Sequence, residues 1–212
     1  MKLTIRNQTC LLLPARAVYW EEMKTVILAD IHIGKGTTFR KAGIPIPPGI
    51  MDDDLMNMAK VIHELGAQKC IIVGDLIHAK NGISEEVKIK FAKWLYTLDC
   101  VVHLVVGNHD RSLLKQLPPE WALEIHKEGL LIEPFYFSHH PIIHEKWFVW
   151  SGHLHPKVEI SDRYDNVVLR CFQIFSNQAI LPAFGTFVGG AFVKKCVGCK
   201  IYAIAKDQII EV

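Results

Sequence analysis

Five short segments of this chain carry side chains of the kind that bind divalent metals. They are Asp30-Ile31-His32, Gly74-Asp75, Gly107-Asn108-His109-Asp110, His139-His140-Pro141 and Gly152-His153-Leu154-His155. Each follows an apolar run with the pattern of a buried strand. As candidate ligands they bring two Asp (Asp30 and Asp75), one Asn and at least four His to the ends of neighbouring strands. One Gly-Asp or one strand-end His is an ordinary turn; five in order are a ligand set. Carboxylate, imidazole and amide in one set suit Mn first, with Fe or Zn as alternatives, and suit Ca or Mg less. Two such metals ~3.5–4 Å apart clamp an in-line phosphoryl displacement and lower the pKa of a shared water. One carboxylate must bridge them, and Asp75 is the choice.

His109 follows the candidate ligand Asn108, so its side chain is expected to turn from the ligand row toward substrate. There it would protonate the leaving oxygen or stabilise its charge. Asp110 is expected to accept a hydrogen bond from His109 and fix its tautomer. His78, His140 and His144 lie close to the ligand loops in sequence. His63 and His103 read as structural, and His126 has no motif around it. Gly34-Lys35-Gly36-Thr37 lacks the earlier glycine of a P-loop, and no nucleophile-elbow serine is present.

These side chains need strands that end at a common edge. Residues 3–6, 10–13 and 17–20 read as short antiparallel strands, and 25–29 as the strand that delivers Asp30. Residues 44–49 form a rigid Pro-rich loop. A helix is predicted over 50–65, with Asp52 to Asp54 in its first turn and Gly66 beyond its end. The strand 69–73 delivers Asp75. Ser84 is a candidate N-cap for a helix running to Leu98, and the strand 100–106 delivers Asn108. This alternation predicts parallel strands joined by helical crossovers. Strands are then predicted at 135–138, 147–151, 167–175, 179–181, 201–205 and 208–212. Asp30 and His32 are two residues apart, so both reach one site only if the backbone leaves strand geometry near Ile31. Gly34 and Gly36 are expected to loosen the chain there. His153 and His155 share that spacing.

The chain has 212 residues, half of them apolar, which suits one domain over 1–212. Its net charge of +2 does not mark a strongly basic nucleic-acid binder. The six Cys are irregularly spaced, and the lone Cys196-Cys199 pair lacks the partners of a zinc site. Polar residues, Pro and Gly interrupt the uncharged stretch 171–193, so it reads as strands and turns, not a membrane span. A cytoplasmic location with no membrane partner is expected.

The ordered set Asp-x-His, Gly-Asp, Gly-Asn-His-Asp, His and Gly-His-x-His resembles the calcineurin-like metallophosphoesterases. The resemblance implies a four-layer α/β/β/α sandwich of two mixed sheets. It implies that Asp30, His32, Asp75 and His155 hold one metal. Asp75, Asn108, His139 and His153 would hold the other, and His109 matches the catalytic histidine. Residues 34–49 (GKGTTFRKAGIPIPPG) and 181–190 (LPAFGTFVGG) are similar to the DNA-ligase-associated metallophosphoesterases. That narrower resemblance implies a bacterial DNA-damage-response endonuclease acting beside a DNA ligase, a helicase and an exonuclease.

The expected function is therefore a two-metal phosphodiesterase cutting single-stranded or damaged DNA. Arg111, His78 and Arg40 are the candidate substrate contacts, with Lys35 and Lys41 nearby. Lys194, Lys195 and Lys200 form a second basic group. The competing readings are a phosphoesterase for small or cyclic nucleotides and a non-catalytic interaction subunit.

Overall fold

In the computed structural model, which describes residues 1–161 and 166–212, the chain forms two mixed sheets packed face to face. The first begins as an antiparallel meander, β1 (Lys2–Ile5), β2 (Gln8–Leu13), β3 (Ala17–Trp20) and β4 (Thr25–Leu28). It continues in parallel through β5 (Lys69–Val73), β6 (Val101–Val105) and β7 (Leu123–His126). Helix α1 (Lys35–Lys41) and helix α2 (Ile50–Glu64) join β4 to β5, and α3 (Glu85–Tyr96) joins β5 to β6. A single turn, α4 (Asn108–Arg111), follows β6.

The second sheet contains β8 (Leu130–Ile132), β9 (Phe135–Phe137), β10 (Phe148–Ser151), β12 (Asn166–Ile174), β13 (Gln178–Ile180), β14 (Lys200–Ala205) and β15 (Gln208–Glu211). Its order is β15-β14-β12-β13-β10-β9-β8, with β11 (Lys157–Ser161) paired to β12. β9, β10 and β13 run parallel, and the other pairs are antiparallel.

Alternation along β4, β5 and β6 explains the layers. Val26, Leu28, Cys70, Ile72, Val102 and Leu104 face α2 and α3, meeting Met58, Ile62, Phe91 and Trp94. Ile27, Ile71, Val73 and Val105 face the second sheet, meeting Phe135, Phe137, Phe148, Trp150 and Phe172. Strands buried on both faces read as continuous apolar runs, which is why these were legible. The outer face of the second sheet carries a smaller cluster of Val158, Cys171, Ile201 and Ala203.

The two expected crossover helices form, within one or two residues of their predicted ends. Ser84 Oγ accepts from the Val87 N–H at 3.3 Å, and Gly66 adopts φ +57° just past α2. Five elements differ from the sequence expectation: α1, α4, β7, β8 and β11. Residues 35–41, where Gly34 and Gly36 were expected to loosen the chain, are helical, with Gly34 at φ +80° turning the chain into the helix. Its Lys41 Nζ is tied to the Asn81 carbonyl at 2.8 Å. β7, β8 and β11 were not predicted. β7 is a short edge strand with charged, half-exposed positions, so it lacks the apolar signature. It gives His126 a partner, since His126 Nε2 lies 3.1 Å from His103 Nδ1. Among the described residues, no helix is long and apolar enough to cross a membrane.

Candidate metal centre

The carboxyl ends of β4, β5, β6 and β10 converge on one edge, and the predicted segments meet there. Backbone hydrogen bonds continue past the strands: Asp30 N–H to Gly74 O at 3.1 Å, His32 N–H to Asp75 O at 3.0 Å and Ile33 N–H to Leu76 O at 2.7 Å. Five candidate ligands adopt left-handed backbone conformations, Asp30 (φ 56°), His32 (53°), Asp75 (49°), His153 (70°) and His155 (48°). Residues other than Gly seldom sit there, and such strain gathers at functional sites. It is also how residues two apart reach the same point.

Two glycines show how tightly the site is built. Gly74 has φ +82°, and a Cβ there would enter the His139 imidazole. A Cβ on Gly107 would strike the Asp75 carboxylate. Each glycine lets one candidate ligand lie against the backbone that presents another.

Asp75 is at the centre. Its Oδ1 accepts the His109 N–H at 2.9 Å. Its Oδ2 lies 3.4 Å from His139 Nε2 and 3.9 Å from His32 Nε2. On one side of it Asp30, His32 and His155 gather, with His155 Nε2 3.2 Å from Asp30 Oδ1. On the other, His139 Nε2 lies 3.0 Å from Asn108 Oδ1 and 3.2 Å from His153 Nδ1. His139 Nδ1 donates to the Val73 carbonyl at 3.2 Å, which turns Nε2 inward. His139 is 3 % exposed and His140 lies on the surface, and each has a ring nitrogen within 4.8 Å of one on His153.

Asp30 Oδ1, both ring nitrogens of His32 and His155 Nε2 are buried and make no hydrogen bond. Buried polar atoms are ordinarily paired, so this orphaned set fits a divalent cation. Burial pushes the His32 pKa down to about 3, which keeps its ring neutral and ligand-competent at pH 7. Burial also raises the Asp75 carboxyl, but the His139 hydrogen bond and charge outweigh it and hold Asp75 at about 2. Asp75 therefore stays ionised. For His139, burial lowers the pKa and Asp75 more than reverses it.

His109 stands at the rim, 38 % exposed at its side chain, with Nε2 3.9 Å from Asp75 Oδ2. Its tautomer is not set by Asp110, contrary to the sequence expectation. His109 Nδ1 donates to the His78 carbonyl at 2.6 Å. Asp110 is buried and accepts from the N–H groups of Gly107 (3.0 Å), Ile77 (3.0 Å) and Leu76 (3.4 Å). It clasps the two ligand loops together. The reason is local: Asp110 is at the third position of α4, where a carboxylate reaches back to its own N-terminal amides.

The expected substrate contacts divide. The His78 ring stacks on His109 with centroids 5.4 Å apart, and burial pushes its pKa down to about 4. Arg40 is exposed and leans on Thr37 Oγ1 (3.2 Å) and the Pro47 carbonyl (3.4 Å). Arg111 is exposed on α4, and after burial and His139 its charge helps lower the His140 pKa. Lys200 is paired with Glu211 at 3.4 Å.

Arg170 was not foreseen. From β12 it donates to the carbonyls of Ala183 (2.7 Å), Gly185 (2.8 Å), Thr186 (2.7 Å) and Val188 (3.1 Å). Asp54 on α2 accepts from Thr186 N–H and Oγ1, and Arg16 lies 3.7 Å from it. These charges fix the 181–190 loop, whose Phe184 and Gly185 N–H groups bond the Ala29 and Asp30 carbonyls at 2.8 and 3.2 Å. The available signal was a lone Arg in an apolar strand. Arg170→Ala should cost about 3 kcal/mol of stability, since four carbonyls, three of them partly buried, lose their donors. Arg170→Lys should restore only part, because one ammonium cannot span four acceptors. Urea unfolding midpoints at constant slope would measure both.

Comparison with known proteins agrees with this geometry. A family model for calcineurin-like phosphoesterases matches residues 23–181, which include all seven candidate ligands. Among solved structures, the Pseudomonas putida nuclease MPE superposes with a TM-score of 0.86 at 27 % identity, over 99 % of each chain. An Aquifex aeolicus protein of unknown function aligns with a TM-score of 0.42 at 20 % identity, over 66 % of this chain and 81 % of that one. No curated protein matches. The two mixed sheets, the convergent Asp and His side chains and the match across residues 23–181 lead to one conclusion: the chain belongs to the calcineurin-like phosphoesterase family, whose members are metal-dependent phosphoester hydrolases.

Proposed function

We propose that this protein is a two-metal phosphodiesterase acting on DNA, an endonuclease of DNA repair. The observation that carries the reading is Asp75 Oδ2, which faces imidazoles from both halves of one buried cluster. In this reading Asp30, His32, Asp75 and His155 hold one ion, and Asp75, Asn108, His139 and His153 hold the other. Mn is the proposed metal, with Fe or Zn as alternatives. Ions bound there would neutralise charge developing on the phosphoryl oxygens and lower the pKa of a water.

The chain's own residues do the rest. Asp75 stays ionised because its hydrogen bonds outweigh burial. His109, pinned through Nδ1 to the His78 carbonyl, presents Nε2 to the open side of the site. A proton on Nε2 would be given to the departing oxygen. Val73 and His78 carbonyls fix the two ring orientations that matter most.

DNA as substrate is supported by likeness to a nuclease over 99 % of the chain and by the 34–49 and 181–190 segments. A cytoplasmic pathway shared with a DNA ligase, helicase and exonuclease belongs to the same proposal. The test is metal-stripped protein reloaded with Mn and given circular single-stranded DNA, a cyclic nucleotide and bis-p-nitrophenyl phosphate. Linearised circles are expected. Hydrolysis of the cyclic nucleotide with intact circles would instead establish a small-nucleotide phosphodiesterase. No turnover with any substrate or metal would leave an interaction subunit.

A further inference from the structure

We propose that Phe39 and Phe187, with the Lys35 ammonium above them, form a platform that stacks an unpaired nucleobase next to the scissile phosphate. The inference rests on the nuclease reading and names what that site would grip.

The geometry is a continuous aromatic row leading out of the metal centre. His109 stacks on His78 with centroids 5.4 Å apart and an interplanar angle of 20°. His78 lies 6.2 Å from Phe39, and Phe39 meets Phe187 edge-to-face at 5.4 Å. Lys35 Nζ lies 6.0 Å from the Phe39 centroid and 5.9 Å from that of Phe187. All three side chains are half-buried, so each keeps part of its surface in solvent. Phe187 and Lys35 also line a cavity of about 170 Å³ beside His32, whose walls carry Arg40 and a Lys90 paired with Asp52 and Glu86.

Each part is costly to hold where it is. Lys35 is drawn partly out of water, and burial lowers its pKa. Phe39 is carried by α1, which the Lys41–Asn81 contact ties to the turn after β5. Phe187 sits on the loop that Arg170 and Asp54 clamp. An edge-to-face aromatic pair with a cation over both rings, close to the proposed phosphodiester site, matches the pattern by which single strands are held. Bases in a duplex are already stacked and would not reach the row, so the platform selects single-stranded substrate.

The test compares wild type with Phe39→Leu and Phe187→Leu, which keep apolar volume and remove the ring face. Two Mn-dependent substrates are used: a labelled thymidine oligonucleotide and a strand of the same length made of tetrahydrofuran abasic units. The ratio of kcat/KM for the first over the second should fall on the order of tenfold in each variant, one stacking contact's worth. Anisotropy with the labelled oligonucleotide should show the same loss in affinity. Phe39→Trp should restore the ratio. An unchanged ratio, with wild type cutting DNA, overturns the platform and leaves the nuclease reading intact. Wild type that hydrolyses bis-p-nitrophenyl phosphate but neither cuts nor binds the oligonucleotide overturns the nuclease reading itself, and the platform with it.

Discussion

Asp75→Asn is expected to reduce turnover on the order of 10³-fold or more. It should also cut bound metal from two ions per chain to one or none. The side chain is 2 % exposed, and its Oδ2 faces His139 Nε2 at 3.4 Å and His32 Nε2 at 3.9 Å, one from each half of the cluster. Asn keeps the size and one acceptor oxygen, which can still take the His109 N–H. It loses the charge that would bridge two cations, and it turns an N–H toward ring nitrogens that should be ligands. The substitution is close to isosteric, so the fold should survive. Circular dichroism establishes that, and metal content by atomic emission reads the effect. Two ions per chain and full activity would refute the bridge.

His109→Ala is expected to separate chemistry from metal binding. Two ions should remain, because His109 lies outside both proposed ligand sets. Turnover should fall ~10²–10⁴-fold, the usual contribution of a positioned acid or base. The leaving group sharpens the test. A deoxyribose oxygen departs badly without a proton, whereas p-nitrophenolate departs without one. The defect should therefore be large on DNA and much smaller on bis-p-nitrophenyl phosphate. An equal loss on both would assign His109 to binding the phosphoryl group. Loss of metal would make it a ligand.

The sequence was most informative where a strand is buried on both faces and ends in a polar motif. β4, β5 and β6 met both conditions, so their order, their direction and the residues they deliver were all legible. Spacing even exposed the backbone departure at Asp30 and His32, which the positive φ values now describe. The sequence was silent where tertiary contacts decide. Residues 35–41 contain two β-branched residues and a glycine, poor helix formers, yet anchoring of Lys41 to Asn81 accompanies a helix there. β7 and β8 are strands of four and three residues at the sheet edges, too short to show alternation.

At the site, side-chain partners were the less legible part. Asp110 is next to His109 in sequence, which suggested a hydrogen bond between them. Helical geometry instead turns its carboxylate back onto the amides of Gly107, Leu76 and Ile77. The His78 carbonyl that orients His109 comes from a loop 31 residues away, a relation no local pattern encodes. Arg170 is 13 to 18 residues from the carbonyls it holds.

The central claim is a two-ion centre that hydrolyses phosphodiesters. Its most direct test is to titrate metal-free protein with Mn, following bound metal and bis-p-nitrophenyl phosphate hydrolysis in the same samples. Turnover should stay near zero through the first equivalent and rise with the second, levelling at two ions per chain. Full turnover at one ion per chain would contradict the account.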